Sequence, residues 1–196
     1  MTAAESAQSP SPGYPPSPWS MRGQLYLSLW RVGRGLVGTA FVDYQAGSEL
    51  EYGELLRARP TRAGRHPSVT ITDIWVDSPA SRDGGRAMWA IPKGLAAFSQ
   101  QHGPVFRGEA RDDGGLLAAA EFTARRRLPG RLPYRLRTRQ QRPDGTVVVA
   151  PLSGSAGVRI ARASWEFPAQ SPFADLRGRR PLLSVVLDEF ALRFGA

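Results

Sequence analysis

From Leu25 onward the chain is written largely in a period of two. Leu25, Leu27 and Leu29 alternate with Tyr26, Ser28 and Trp30, and Val69, Ile71 and Asp73 alternate with Thr70, Thr72 and Ile74. Successive side chains of an extended strand point to opposite faces, so this pattern suits a sheet and not a helix, whose faces recur every three to four residues. Further strands are expected over 36–44, 49–58, 105–111, 116–125, 134–141, 146–150, 158–167 and 182–194. Arg142-Pro143-Asp144-Gly145-Thr146 has the composition of a hairpin turn between two of them. One break stands out, Asp77-Ser78-Pro79-Ala80-Ser81-Arg82-Asp83-Gly84-Gly85. Its serine and proline suit the start of a short helix, and its paired glycines suit the end of one. The expected fold class is therefore mostly β, an antiparallel sheet with one or two short helices. Closing that sheet into a barrel would remove its exposed edges.

A chain of 196 residues is long enough for one well-buried domain and short for two. We expect a single domain over 19–196, preceded by a flexible Pro/Ser-rich tail over 1–18 that ends where Tyr14-Pro15-Pro16-Ser17-Pro18-Trp19 docks. No apolar run approaches the length of a membrane span, and the first twenty residues lack the basic head and apolar core of a secretory signal. The absence of cysteine removes disulfides, thiolate catalysis and cysteine-bound zinc. The two histidines, His66 and His102, are isolated and read as solvent-facing. A cytoplasmic protein without metal or cofactor is expected.

The net charge of +9 invites a polyanion. Basic density peaks between Arg125 and Arg142, where Arg135, Arg137 and Arg139 alternate with Leu136 and Thr138 and so share one strand face. No nucleic-acid-binding motif accompanies them. A solvated face or a contact between copies is the simpler reading; an anionic carrier protein or a coenzyme A ester is the other partner the face would suit. Neither nucleic acid nor membrane is expected as a partner. Ser153-Gly154-Ser155 has no nearby base and reads as a loop, and Asp112-Asp113-Gly114-Gly115 reads as a turn. The five tryptophans read as core and pocket wall.

Against twenty-five arginines the chain keeps one lysine, Lys93. An ammonium can lose its proton when buried and attack a carbonyl, whereas a guanidinium stays protonated. The alternative is an ordinary surface charge, and the neighbouring residues bear on the choice. Gly85-Arg86 precedes Trp89-Ala90-Ile91-Pro92-Lys93-Gly94-Leu95-Ala96-Ala97-Phe98, and Tyr52-Gly53-Glu54 lies upstream. Together with the entry segment Tyr14–Trp19 and Arg22-Gly23, this arrangement resembles the acetoacetate decarboxylase superfamily, most clearly from Tyr14 to Phe98.

The resemblance implies a barrel- or cone-like β fold and a lysine that condenses with a keto acid. By this resemblance Lys93 is the Schiff-base nucleophile and Glu54 the proton-handling acid. Arg86 would grip a carboxylate, with Tyr52 and Trp89 beside the substrate. Burial by Trp89, Ile91, Leu95 and Phe98 would lower the lysine below its reference pKa of about 10.4. The implied activity is decarboxylation of a small or medium β-keto acid. Aldol condensation with dehydration at the same lysine, and ligand binding without turnover, are the alternatives. A homo-oligomer is implied as well. Three features depart from the family: Gly94 stands where a second lysine is usual, and a second acid is replaced near Thr39, with Asp43 the nearest. The arginine of the entry segment has Arg22 and Gln24 near its place.

Overall fold

A computed structural model describes residues 13–195 of the chain; the first twelve residues of the expected tail lie outside them. The strands are β1 (Trp19–Val32), β2 (Gly35–Tyr44), β3 (Tyr52–Ala63) and β4 (His66–Val76), followed by helix α1 (Pro79–Trp89). Then come β5 (Gly94–Leu95), β6 (Ala97–Gln101), β7 (Val105–Asp112), β8 (Gly115–Arg127), β9 (Leu132–Gln141), β10 (Val147–Glu166) and β11 (Leu183–Phe194). A single turn of 3-10 helix, Ala174–Leu176, precedes β11.

Seven of these strands close a ring in the order β11-β1-β2-β3-β4-β9-β10, with β10 pairing back onto β11. Closure satisfies the backbone donors and acceptors that open edges would expose. The ring pairs are antiparallel except β4 with β9, which run parallel over only Ser68↔Arg137 and Val69↔Thr138. Beyond those two pairs, Thr70 Oγ1 donates to the Arg139 carbonyl at 2.9 Å and Gln140 Nε2 donates to the Ile71 carbonyl at 3.1 Å.

Strand β10 is shared between the ring and an extension of the same sheet. Its ring pairing runs as far as Ala161, while Arg159–Glu166 pairs with β8, which continues through β7 to β6. The period of two then gives most ring strands two apolar destinations. Leu25 and Leu27 of β1 face the barrel interior, while Tyr26 and Trp30 face outward into a second core shared with Phe106, Phe122 and Phe167. Phe41 and Leu55 join that outer core, and Ala40, Val42, Tyr52 and Ile74 join the inner one. Fully burying side chains of this size contributes about 1.5–3 kcal/mol each.

The sequence places a loop at Ser153-Gly154-Ser155, and that expectation is corrected: the segment lies within β10. Gly154 is there because a Cβ at this position would fall 2.1 Å from the Ala191 carbonyl oxygen of β11, so only glycine allows the two backbones to approach. The helix end is corrected too. Gly84 and Gly85 lie inside α1, which ends at Ala90 in the left-handed conformation (φ 55°), its N–H donating back to Arg86 and Gly85. The start behaves as the sequence suggests: Ser78 caps the helix, accepting from the Ser81 N–H, and Pro79 follows it. Upstream of β1, the Trp19 indole donates to the Pro15 carbonyl and Ser17 Oγ donates to the Gly195 carbonyl. Arg135, Arg137 and Arg139 face outward, since Leu136 and Thr138 between them line the interior. No helix among the described residues is long and apolar enough to cross a membrane.

Candidate active site

The barrel encloses a cavity of about 410 Å³, within the usual range of small-molecule sites. Its wall carries aliphatic and aromatic side chains from all seven ring strands; Lys93 and Glu54 are the only charged residues lining it. Lys93 reaches it from the segment after α1. The left-handed turn at Ala90 reverses the chain, Ile91 N–H donates to the Gly85 carbonyl, and Lys93 N–H donates to Ile91. The lysine side chain consequently runs back beneath the helix.

Gly85 makes that path available. A Cβ there would sit 3.0 Å from both Cδ and Cε of Lys93. Ser81 lies one helical turn earlier, on the same face. Its hydroxyl is 2.9 Å from Lys93 Nζ and completes a set of three acceptors for the ammonium. The others are Glu54 Oε2 at 2.9 Å and the Tyr52 hydroxyl at 3.2 Å, both presented inward from β3 by the two-residue period. Nζ also stands 4.9 Å from the centroid of the Tyr52 ring. The Tyr44 hydroxyl donates to the second oxygen of Glu54 at 3.3 Å. Lys93, Glu54, Tyr52 and Ser81 are all buried.

Charge and burial oppose one another here. Burial by itself pulls the Lys93 ammonium down, but the Glu54 carboxylate and the Tyr52 hydroxyl outweigh it and hold Lys93 above its ordinary value. The depressed lysine expected from sequence is thus reversed in the resting site: the amine is an ammonium paired with its carboxylate. Burial pushes the Tyr52 hydroxyl up to about 12, against the downward pull of Lys93, and pushes Tyr44 well above its usual range. Both phenols therefore stay neutral donors near pH 7.

Of the residues singled out from sequence, Lys93, Glu54, Tyr52 and Trp89 meet in this cavity. Trp89 forms part of its wall, packed edge-on against Trp19 and Phe194. Arg86 does not join them. It is exposed on the far side of α1, along a surface cleft with Pro92, Arg142 and Pro143. Leu95 and Phe98 do not line the cavity either; Leu95 is 40% exposed and Phe98 packs against the outer core. Ser81 and Tyr44 are the contacts that sequence reasoning missed. The signal for Ser81 was its four-residue spacing from Gly85 on the predicted helix.

A family model for acetoacetate decarboxylase matches residues 27–175, three quarters of the chain. The chain belongs to the acetoacetate decarboxylase family. None of the curated proteins matches it in sequence. Among solved structures, acetoacetate decarboxylase from Legionella pneumophila is 16% identical with a TM-score of 0.67, the match covering 98% of this chain and 95% of that one. The enduracididine biosynthesis enzyme MppR is 14% identical with a TM-score of 0.70, covering 100% and 97%. An acetoacetate decarboxylase-like enzyme from Sphingomonas wittichii is 14% identical with a TM-score of 0.63, covering 100% and 98%. These likenesses are of fold.

The departures from the acetoacetate decarboxylase pattern have local physical reasons. A Cβ at Gly94 would lie 2.9 Å from Trp75 Cδ1 and 3.1 Å from its Nε1, so a second lysine would have to displace that indole. Thr39 and Asp43 face away from the cavity. Thr39 accepts from the Trp30 indole, and Asp43 pairs with His102 at 3.0 Å and accepts from Gln45. The inward positions between them are Ala40 and Val42. Arg22 is exposed and Gln24 accepts from the Tyr26 hydroxyl, while Met21 and Leu25 take the inward places. Among the described residues no cluster of three or more His, Asp or Glu is placed to hold a metal ion.

Proposed function

We propose that this family member is a Schiff-base-forming lyase that decarboxylates a β-keto acid through Lys93. The observation that carries the reading is a lone lysine, buried in an apolar cavity, whose partner is a single carboxylate at 2.9 Å. A proton passing from Lys93 to Glu54 turns the ion pair into a neutral amine and a neutral acid with no change in net charge. A low-dielectric site favours that exchange once substrate has excluded water. The amine adds to the ketone, and the Glu54 proton leaves with the carbinolamine hydroxyl as water, forming an iminium. The bond to the carboxylate then breaks, its electron pair moves into the iminium, and carbon dioxide departs. The resulting enamine is protonated at carbon, with Glu54 or the Tyr52 hydroxyl relaying the proton. Water then hydrolyses the iminium and restores the amine.

The apolar wall supports decarboxylation in particular. A carboxylate held there with no cation other than the iminium itself is poorly solvated, and losing it as a neutral molecule relieves that cost. The second reading is aldol condensation and dehydration on the same iminium. Its specific support is Gly94, which leaves no second cation beside the nucleophile, together with fold similarity to MppR, a structure of which is complexed with the condensation product of pyruvate and imidazole 4-carboxaldehyde. Assembly with further copies of the chain is part of the proposal.

Borohydride trapping tests the reading. The protein is incubated with β-keto acids, α-keto acids and simple ketones, reduced, and analysed by peptide mass spectrometry, with Lys93→Arg as control. Because there is one lysine, a reduced adduct on its peptide that is missing from the control is unambiguous. Carbon dioxide release then supports the lyase, and a new carbon–carbon bond supports the aldolase. No adduct across the panel would overturn both.

A further inference from the structure

Beyond the reacting end, the cavity continues as a hydrocarbon-lined channel. Along β3 its wall runs inward from Glu54 through Leu56 to Ala58, four residues or about 13 Å of strand. The neighbouring strands repeat the pattern with Leu25 and Leu27 of β1, Ile71 and Val69 of β4, and Leu152 and Val158 of β10. Leu187 of β11 and Leu136 of β9 complete the ring around it. Leu132, also in the lining, is 59% exposed and marks where the channel meets solvent. The polar groups of the lining, Lys93, Glu54, Tyr44 and Tyr52, gather at the opposite end, apart from the Tyr134 and Thr138 hydroxyls. Thr138 is buried and directs its hydroxyl to the Ala150 carbonyl; the Tyr134 hydroxyl lies 3.5 Å from the Ala191 carbonyl.

A three-carbon keto acid would touch only the polar end and leave this wall facing water or empty space. Neither is favourable, because apolar surface gains free energy on leaving water and an unfilled wall forgoes its dispersion contacts. We propose that the substrate is a β-keto acid carrying a medium-length alkyl chain on the ketone side. The chain lies along the Leu56–Ala58 wall toward Leu132, with the ketone carbon at Lys93. The head group would then need no cationic clamp, because burial of the chain supplies the binding. This inference rests on the Lys93 iminium reading for its reacting end, but the chain site stands on the cavity alone.

The test uses a homologous series of methyl ketones, the products that such acids would leave: acetone, 2-heptanone and 2-undecanone. Each is trapped on the wild-type protein and on Ala58→Phe, which fills the channel midway without touching Lys93. Each added methylene is expected to lower the ketone concentration for half-trapping by about fourfold. From acetone to 2-heptanone the gain is then about a hundredfold or more. Ala58→Phe should abolish most of the gain while trapping acetone as the wild type does, which also shows that the variant is folded. Equal trapping of all three ketones would overturn the chain site and leave the iminium reading intact. If no ketone is trapped, the iminium reading falls, and displacement of bound Nile red by the same ketones decides the chain site separately. Displacement that tightens with chain length in wild type but not in Ala58→Phe upholds it, and displacement without length dependence, or none, overturns it.

Discussion

Replacing Glu54 by Gln separates the two influences that meet at Lys93. In the wild-type protein the carboxylate 2.9 Å away outweighs burial and holds the ammonium above its ordinary value. A group whose folded pKa is raised contributes stability that is fully present below the unfolded pKa, about 10.4, and is lost as pH rises through the folded value. This group therefore leaves wild-type stability level between pH 6 and 9.5. Glutamine keeps the shape and removes the charge; the Tyr52 and Ser81 hydroxyls remain, but without the carboxylate we expect burial to prevail and Lys93 to fall below its ordinary value. The folded variant then binds fewer protons than the unfolded chain, and its stability rises with pH until both forms are neutral. Removing one partner of a buried pair costs about 3–5 kcal/mol. We expect a loss of that size at pH 6 that shrinks as pH rises toward 9.5. Urea unfolding followed by tryptophan fluorescence measures it across that range, and reductive methylation of Lys93 should begin at lower pH in the variant. A stability difference below about 1 kcal/mol, or one that does not change with pH, would refute the reasoning.

Gly85→Ala should leave stability within about 1 kcal/mol, since the better helix former offsets the crowding of Lys93 Cδ and Cε, yet slow borohydride trapping by about tenfold or more through displacement of the amine. Ser81→Ala strips one of the three acceptors from the buried ammonium; chemical denaturation should register a loss of about 1–3 kcal/mol, and Lys93 should become modifiable at lower pH. Asp175→Asn unpairs the Arg57 guanidinium, which is buried on the outer face of β3 and held by two bonds of 2.6 and 2.9 Å. Because the carboxylate itself is 41% exposed, the expected cost in thermal or urea unfolding is about 2 kcal/mol, with trapping at Lys93 unchanged.

The barrel was legible because several ring strands alternate between two apolar destinations with a two-residue period, and that period survives in the letters despite the bulges. Glu54 and Tyr52 were singled out by the family resemblance, and their shared parity on β3 is what turns both toward the cavity. Arg86 shows where such reading stops. It adjoins Gly85 in sequence, but one residue on a helix turns the side chain by roughly 100°, enough to carry it from the lysine face to solvent. Ser81 was hidden by its likeness to an ordinary helix-opening serine; its part in the site depends on the reversal at Ala90, which no local preference of alanine announces. The unbroken β10 was hidden by Gly154, whose role is to let β11 pass close by.

An odd number of strands cannot alternate in direction around a closed ring. With seven, one neighbouring pair must point the same way, and the chain places that mismatch between β4 and β9. There the ladder is reduced to two residue pairs and handed over to Thr70 and Gln140, whose side chains reach the backbone across the gap. Parity thus concentrates the compliance of the barrel in one seam. Widening it breaks two side-chain bonds and a short ladder, whereas any other seam would have to part a long antiparallel one. The wall between Ile71 and Thr138 is accordingly the side from which the interior can be enlarged at the smallest cost in backbone hydrogen bonds.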